Sequence, residues 1–414
     1  GPYAGSVSGE YVIITPENGR EIRKGFDKLA GIYDQLNLGS ISRCSEVGDD
    51  GVIEVGSQNS NTYANKITEV RGQLDAVNSD LIAFVVLPGQ SQDVYFQARG
   101  KLFERLFGNN PVPAQAIEYK NVVKLANDNG YFLGVNTASQ VYVKLGKIGS
   151  AVWTLDEPAD AHVPGVEPGS TCYAYHDVSR RPDKKSAATA YSATTDSYGR
   201  YIATCSQPIG GERLTDEVFH RILNDLLSKV SAFHRRQESD GEKDFHFKRL
   251  VFAKDGKISW KEQEMMKKVI REGVPGKEKR PISEILEESS LLPDDMIIDV
   301  ISVNKSPNKR VVTRDGNGFE NVSGGKAMIY SDDVGLLISH KPDRGTAKPL
   351  EITANDHVCL NRDDVPDPTV GSLLEEYYNL SYLNWSSIFN QGKYALPHIL
   401  TQNLGENLSA GIAV

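Results

Sequence analysis

The chain has 414 residues, 39% of them apolar and 24% charged, the proportions of an ordinary globular protein with room for two domains and substantial cores. Its four cysteines, Cys44, Cys172, Cys205 and Cys359, form no CxxC pair, which argues against a zinc site or a disulfide framework and fits a reducing compartment. The formal net charge of −9 argues weakly against a nucleic-acid partner. The charge is segregated, however: acids gather between Glu284 and Asp299 and between Asp363 and Asp367, bases at Arg180-Arg181, Lys184-Lys185, Lys341, Arg344 and Lys348, so a basic channel on an acidic body stays open. No apolar run reaches the length of a membrane span and no signal peptide is visible, so a cytoplasmic protein without membrane contact is expected. Gly1-Pro2 has the look of a protease scar from an expression tag, which places the expected natural start upstream.

From Tyr11 to about Leu155 short apolar runs alternate with helical periodicity. Tyr11 to Ile14 reads as a strand, followed by helices near Arg20 to Leu36 and Ser60 to Val77. Leu81 to Leu87, rich in β-branched residues and closed by Pro88-Gly89, reads as a fully buried strand of a parallel sheet. A helix from Val94 to Phe107 follows, with its amino end at the carboxyl end of that strand, where α/β sheets bind anions. It carries Tyr95 and Arg99, four residues apart and so on one face. Gln115 stands at the entrance to the next strand, and Lys144 near the end of a helix that stops at Gly146. Tyr, Arg, Gln and Lys make a donor set suited to a phosphate monoester. Each taken singly reads as an ordinary surface side chain, Lys144 as a favourable charge at a helix end.

Asp156 to Gly169, rich in Pro, Asp, Ala and Gly, reads as a linker. Beyond it Cys172 to Tyr175 has the bulk of a strand, and Ser179-Arg180-Arg181-Pro182 is expected to break it, leaving Asp177 where the strand emerges. Arg249 to Ala253 is a second short strand ending in Lys254-Asp255-Gly256. Two strand-end aspartates in one sheet can share a hard divalent cation, although the commoner duty of such an Asp is to cap a turn. Between them Leu214 to Phe233 is a long amphipathic helix; after them come a helix from Lys261 to Glu272 and a strand from Met296 to Asn304 with Lys305 at its end.

In this order the motifs resemble the MID and PIWI domains of Argonaute proteins, from about Leu81 to near the C-terminus. The resemblance is carried by Tyr95-Phe96-Gln97-Ala98-Arg99, by Gln115 in PAQAI, by Lys144 in VKLGK, by His176-Asp177-Val178-Ser179-Arg180-Arg181-Pro182, by Lys254-Asp255-Gly256 and by Leu396-Pro397-His398. It implies an α/β chain with a Rossmann-like MID domain over residues 1–160 and an RNase H-like PIWI domain over 161–414. It further implies that Tyr95, Arg99, Gln115 and Lys144 bind the 5′-phosphate of a guide strand, with Arg99 where many members have Lys; Lys147 is a candidate to join them.

The resemblance also implies a catalytic set of Asp177, Asp255, a glutamate and a fourth residue. For the glutamate, Glu212 in the Gly210-Gly211 loop and Glu217 at the start of the following helix stand equal, and both also read as solvated acids at a helix amino end. For the fourth, Asn407 aligns, with Gln402 or Glu406 as neighbours in the same helix. Asp177, Asp255 and Asn407 would then ligate Mg²⁺ or Mn²⁺ for endonucleolytic cleavage of a target strand paired to the guide. The alternative is a protein that holds guide and target without cutting and signals to a separate effector. Guide and target are DNA or RNA, and N and PAZ regions or a partner protein lie outside what this sequence specifies.

Overall fold

The computed structural model describes residues 5–409 except 18, 78–79, 90, 104–111, 147–150, 152, 181–187, 210–213, 240–246, 275–279, 290–291, 294, 317, 342–345, 362–365 and 384–392. The chain divides into two compact units at Trp153/Thr154. This lies a few residues before the expected boundary at 160, because the linker is tied into the second unit. The Asp160 carboxylate accepts from the amides of Gly169 and Thr171, and the Ala159 amide donates to the Ser197 carbonyl.

The first unit runs β1 (Gly9–Thr15), α1 (Arg20–Gln35), β2 (Ile41–Arg43), β3 (Val52–Glu54), α2 (Ser60–Glu69), α3 (Arg71–Ala76), β4 (Leu81–Leu87), α4 (Gln92–Phe103), β5 (Ala114–Glu118), α5 (Tyr119–Ala126) and α6 (Tyr131–Leu145). All strand pairs are parallel: β4 lies between β1 and β5, and β1 pairs β2 along its first half and β3 along its second. The apolar run of β4 is buried from end to end because helices cover both faces of the sheet. Ile82, Phe84 and Val86 pack with α1, α5 and α6, while Ala83, Val85 and Leu87 pack with α2 and α4. The single helix expected from Ser60 to Val77 is instead two, broken at Val70, whose φ of −90° and ψ of 3° end the first and start the second.

The second unit opens with β6 (Thr171–Arg180), β7 (Ala188–Asp196) and β8 (Tyr201–Ile209), then α7 (Asp216–Ser239), β9 (Arg249–Asp255), α8 (Trp260–Glu272), α9 (Ile282–Ser289) and β10 (Ile297–Asn304). A small hairpin of β11 (Val312–Asp315) and β12 (Gly318–Asn321) precedes β13 (Lys326–Ile329), β14 (Val334–Ile338), β15 (Leu350–Cys359), α10 (Val370–Ser381) and α11 (Leu396–Ser409). The main sheet has eight strands in the order β13-β14-β15-β10-β9-β6-β7-β8, with β6, β9 and β10 parallel at its centre and the rest antiparallel. Strand alternation decides which side chains meet. Cys172, Ala174, Leu250, Phe252, Ile298 and Val300 enter the core under α7, α8 and α9. The intervening residues, Tyr173, Tyr175 and Asp177 on β6 among them, take the other face, where α10 and α11 lie.

The expected break after Asp177 is corrected by the ladder. β6 continues to Arg180, paired with β7 as far as Arg180↔Ala188, because β7 supplies an antiparallel partner beyond the point where β9 stops. Toward β9 the pairing does end at His176↔Lys254. Asp177 therefore emerges on that side alone.

Candidate functional site

The four side chains expected to hold a phosphate lie on three elements of the first unit. Gln115 is the second residue of β5 and is buried; Lys144 is in the last turn of α6, half-buried, with its ammonium enclosed. The ammonium donates to the Ala114 carbonyl at 2.6 Å and to Gln115 Oε1 at 2.8 Å, neither of them a carboxylate. Gln115 Nε2 donates in turn to Gln140 Oε1 at 2.9 Å. From α4 the Arg99 guanidinium lies 5.9 Å from the Tyr95 ring centre, at the limit of a cation–π contact. Burial first, and the charge of Arg99 second, pull Lys144 down to about 7 from the usual lysine range. Two cations crowded together in an enclosed place have a standing electrostatic cost that a bound anion removes. Gln115 and the Lys144 ammonium meet at the opening of β5. Gln140 was missed, although it precedes Lys144 by four residues and so shares its helix face. Lys147 lies outside the described residues.

The two aspartates are built by register. β6 and β9 are parallel and paired up to His176↔Lys254, so Asp177 and Asp255 are the next residues on the two strands and share one face. Burial, and then the charge of Asp255, push the Asp177 carboxyl above the usual range, opposed by the Val178 amide, which donates to Asp177 Oδ1 at 2.7 Å, and by Lys305 and Tyr191. Asp255 accepts from the Tyr175 hydroxyl at 3.3 Å through Oδ1 and pairs with the Lys305 ammonium at 2.7 Å through Oδ2. Lys305 reaches it because β10 pairs with β9 to Val303↔Asp255 and Lys305 follows two residues later on the same face. The register of three adjacent strands thus explains an acid–acid–base arrangement of which the base was read only as the end of a strand. Beneath it the Tyr175 ring stacks on His398 of α11 with centres 3.9 Å apart, and burial holds that imidazole well below its ordinary value. Its Nδ1 is 2.5 Å from the Tyr377 hydroxyl.

Of the remaining members of the expected set, Glu217 and Gln402 have described side chains. Glu217, in the first turn of α7, is ion-paired with Arg221 one turn on, at 3.3 Å. Glu212 lies outside the described residues, as do the side chains of Asn407 and Glu406, while Gln402 is half-buried on α11. Among the described residues no three His, Cys, Asp or Glu side chains are grouped to hold a metal ion. Asp177 and Asp255 fit a hard divalent cation by chemistry, being oxygen donors whose mutual repulsion a cation would relieve. No helix among the described residues is long and apolar enough to cross a membrane.

A parallel α/β unit followed by an eight-stranded mixed sheet is the fold of a MID–PIWI chain, and the comparison with solved structures agrees. The C-terminal lobe of a budding yeast Argonaute superposes with a TM-score of 0.70 at 15% identity, covering 99% of this chain and 79% of that one. Drosophila Piwi gives 0.65 at 14%, covering 97% and 48%. Clostridium butyricum Argonaute, solved with a guide DNA and a 19-mer target DNA, gives 0.63 at 15%, covering 98% and 48%. The fold is that of the MID–PIWI portion of Argonaute proteins, and the chain spans about half the length of the last two. No protein-family model and no curated protein matches the sequence.

Proposed function

We propose that this chain binds a nucleic-acid guide strand by its 5′-phosphate and cleaves the complementary target strand at Asp177 and Asp255 with Mg²⁺ or Mn²⁺. The observation that carries the binding half is the enclosed cluster of Lys144, Gln115, Gln140 and Arg99, whose lysine is met among the described residues by neutral oxygens and is pulled down to about 7. A phosphate monoester brings up to two negative charges and acceptor oxygens to those donors. For cleavage, Asp177 and Asp255 would hold the cation, which when bound activates water and steadies the departing oxygen. The chain's own work is positional. Backbone register sets the two carboxylates side by side, the Val178 amide fixes one, and Tyr175 with Lys305 orients the other. Lys305 keeps its ammonium beside Asp255 at the carboxyl ends of the central strands. Glu212, Glu217 and Asn407 remain the proposed completing residues.

The test measures guide binding with 5′-phosphate and 5′-hydroxyl ends, then cutting of a complementary strand by the wild type, Asp177→Asn and Asp255→Asn, with target binding followed in parallel. Equal affinity for both ends would end the phosphate reading, and unchanged cutting in both variants would end the assignment of the acids. Guided binding without any cutting by the wild type would make this a binding protein, with the Lys305 ammonium supplying the charge that Asp255 needs.

A further inference from the structure

Away from the paired aspartates, at the opposite end of β10, three side chains form a linear array. His357 and Cys359 are two apart on β15 and share a face; Asp299 is the direct cross-strand partner of His357 on β10, and Ile297 that of Cys359. Cys359 Sγ lies 3.0 Å from His357 Nε2, and His357 Nδ1 lies 2.5 Å from Asp299 Oδ1. Four residues of β10 lead from Asp299 to Val303, the partner of Asp255, about 13 Å at ~3.3 Å per residue. The array is therefore distinct from the proposed cleavage site.

We propose that Cys359 is a reactive thiol, activated by His357 and oriented through Asp299, that forms mixed disulfides with low-molecular-weight disulfides. Arg249 ion-pairs with Asp299 at 2.5 Å and with Glu376 of α10, and its charge, with the His357 bond, keeps the Asp299 carboxyl below the usual range. Asp299 is thus an acceptor, so Nδ1 carries the proton and the Nε2 lone pair faces the thiol. That is the tautomer able to take the thiol proton. The imidazolium so formed faces Asp299 and, 3.7 Å from Nε2, the exposed Asp367; these outweigh burial and the Arg249 charge, and His357 is raised above its ordinary value. Tyr173 and Glu376 stand behind Arg249 on this face, with the Asp160 carboxylate near both Arg249 and Tyr173. The other three cysteines are buried, and burial pushes each of their thiols up, Cys205 to about 12. Cys359 alone is partly exposed.

The chemistry is thiol–disulfide exchange. The thiol proton moves to His357 Nε2, the thiolate sulfur attacks one sulfur of the small disulfide, and the S–S bond of that molecule breaks as a new one forms to Cys359. The departing thiolate takes up a proton, so the small disulfide is the oxidant and no further reactant is needed.

The experiment treats the native chain with the neutral hydroxyethyl disulfide from pH 6.5 to pH 8.5, following the adduct by intact mass and locating it by peptide mass. An ordinary thiol titrating near 8.5 goes from about 1% to about 50% thiolate over that range, so its rate climbs about fiftyfold; a thiol already held as thiolate by an imidazolium has little further to ionise, and its rate climbs far less. We expect one rapid adduct, at Cys359, with the shallow profile, lost in Cys359→Ser and returned to the steep profile in His357→Gln. A steep profile in the wild type, or faster modification of another cysteine, would overturn the proposal. Should His357→Gln not fold, the wild-type profile alone decides.

Discussion

The depressed Lys144 makes a pH-dependent prediction about guide binding. Burial and the charge of Arg99 pull this ammonium down to about 7, while a phosphate in contact would hold it protonated. Binding above pH 7 must then take up a proton, and affinity for the 5′-phosphate falls as pH rises. The factor is the ratio of (1 + 10^(pH − 7)) at the two pH values, about 25 between pH 6.5 and 8.5. The phosphate's second ionisation near 6 works the other way by about 1.3-fold, leaving a decline of about 20-fold. A 5′-hydroxyl guide lacks the contact and its affinity should stay level. Lys144→Met should flatten the 5′-phosphate curve to match and remove about 1.5–3 kcal/mol at pH 6.5, the worth of one charge-assisted hydrogen bond. Fluorescence anisotropy with both guides across this range reads all of it. A preference for 5′-phosphate that holds steady or grows toward pH 8.5 in the wild type would refute the reasoning.

Cleavage, measured with Mg²⁺ or Mn²⁺ and again after chelation, should vanish on chelation and in Asp177→Asn or Asp255→Asn, with guide and target binding retained because backbone phosphate contacts carry most of that affinity. Asp177 also bears on stability. Its folded carboxyl is raised, so the folded state binds the proton more tightly than the unfolded one, and stability falls as pH rises from the ordinary carboxylate range through the raised value. Asp177→Asn in chelator at pH 7 should therefore melt at or above the wild-type temperature, with the gap closing below the carboxylate range; a lower melting temperature at pH 7 would contradict the charge argument. Arg249 is fully buried between Asp299 and Glu376, and Arg249→Met strands two carboxylates without their cation. Urea unfolding should show a loss of about 3–5 kcal/mol, whereas a change under ~1 kcal/mol would mean that the acids neutralise at little cost.

Much of the architecture was legible because its signals are local. The run Leu81 to Leu87 reads as a strand covered on both faces, and Arg20 to Leu36 as a helix, which in the structure buries Ile22, Phe26, Leu29 and Tyr33 on one side. Asp177 and Asp255 stood out as candidates because each follows a short apolar run, and Tyr95 and Arg99 because four residues on a helix is one face. Local pattern ran out where a neighbour decided the outcome. Arg180 looked like the end of a strand but is held in one by Ala188 of β7. Lys305 enters the aspartate site only through the register of β10 on β9, and Gln140 joins Lys144 only because β5 offers Gln115 between them. The array of Cys359, His357 and Asp299 spans 60 residues of sequence, and only the antiparallel pairing of β15 with β10 closes that distance. Sequence by itself determined which segments form elements and which faces they bury, since those depend on side chains a few residues apart. Tertiary structure alone decided which charges meet, because pairing register and strand order, not sequence spacing, set the distances over which electrostatics and hydrogen bonds act.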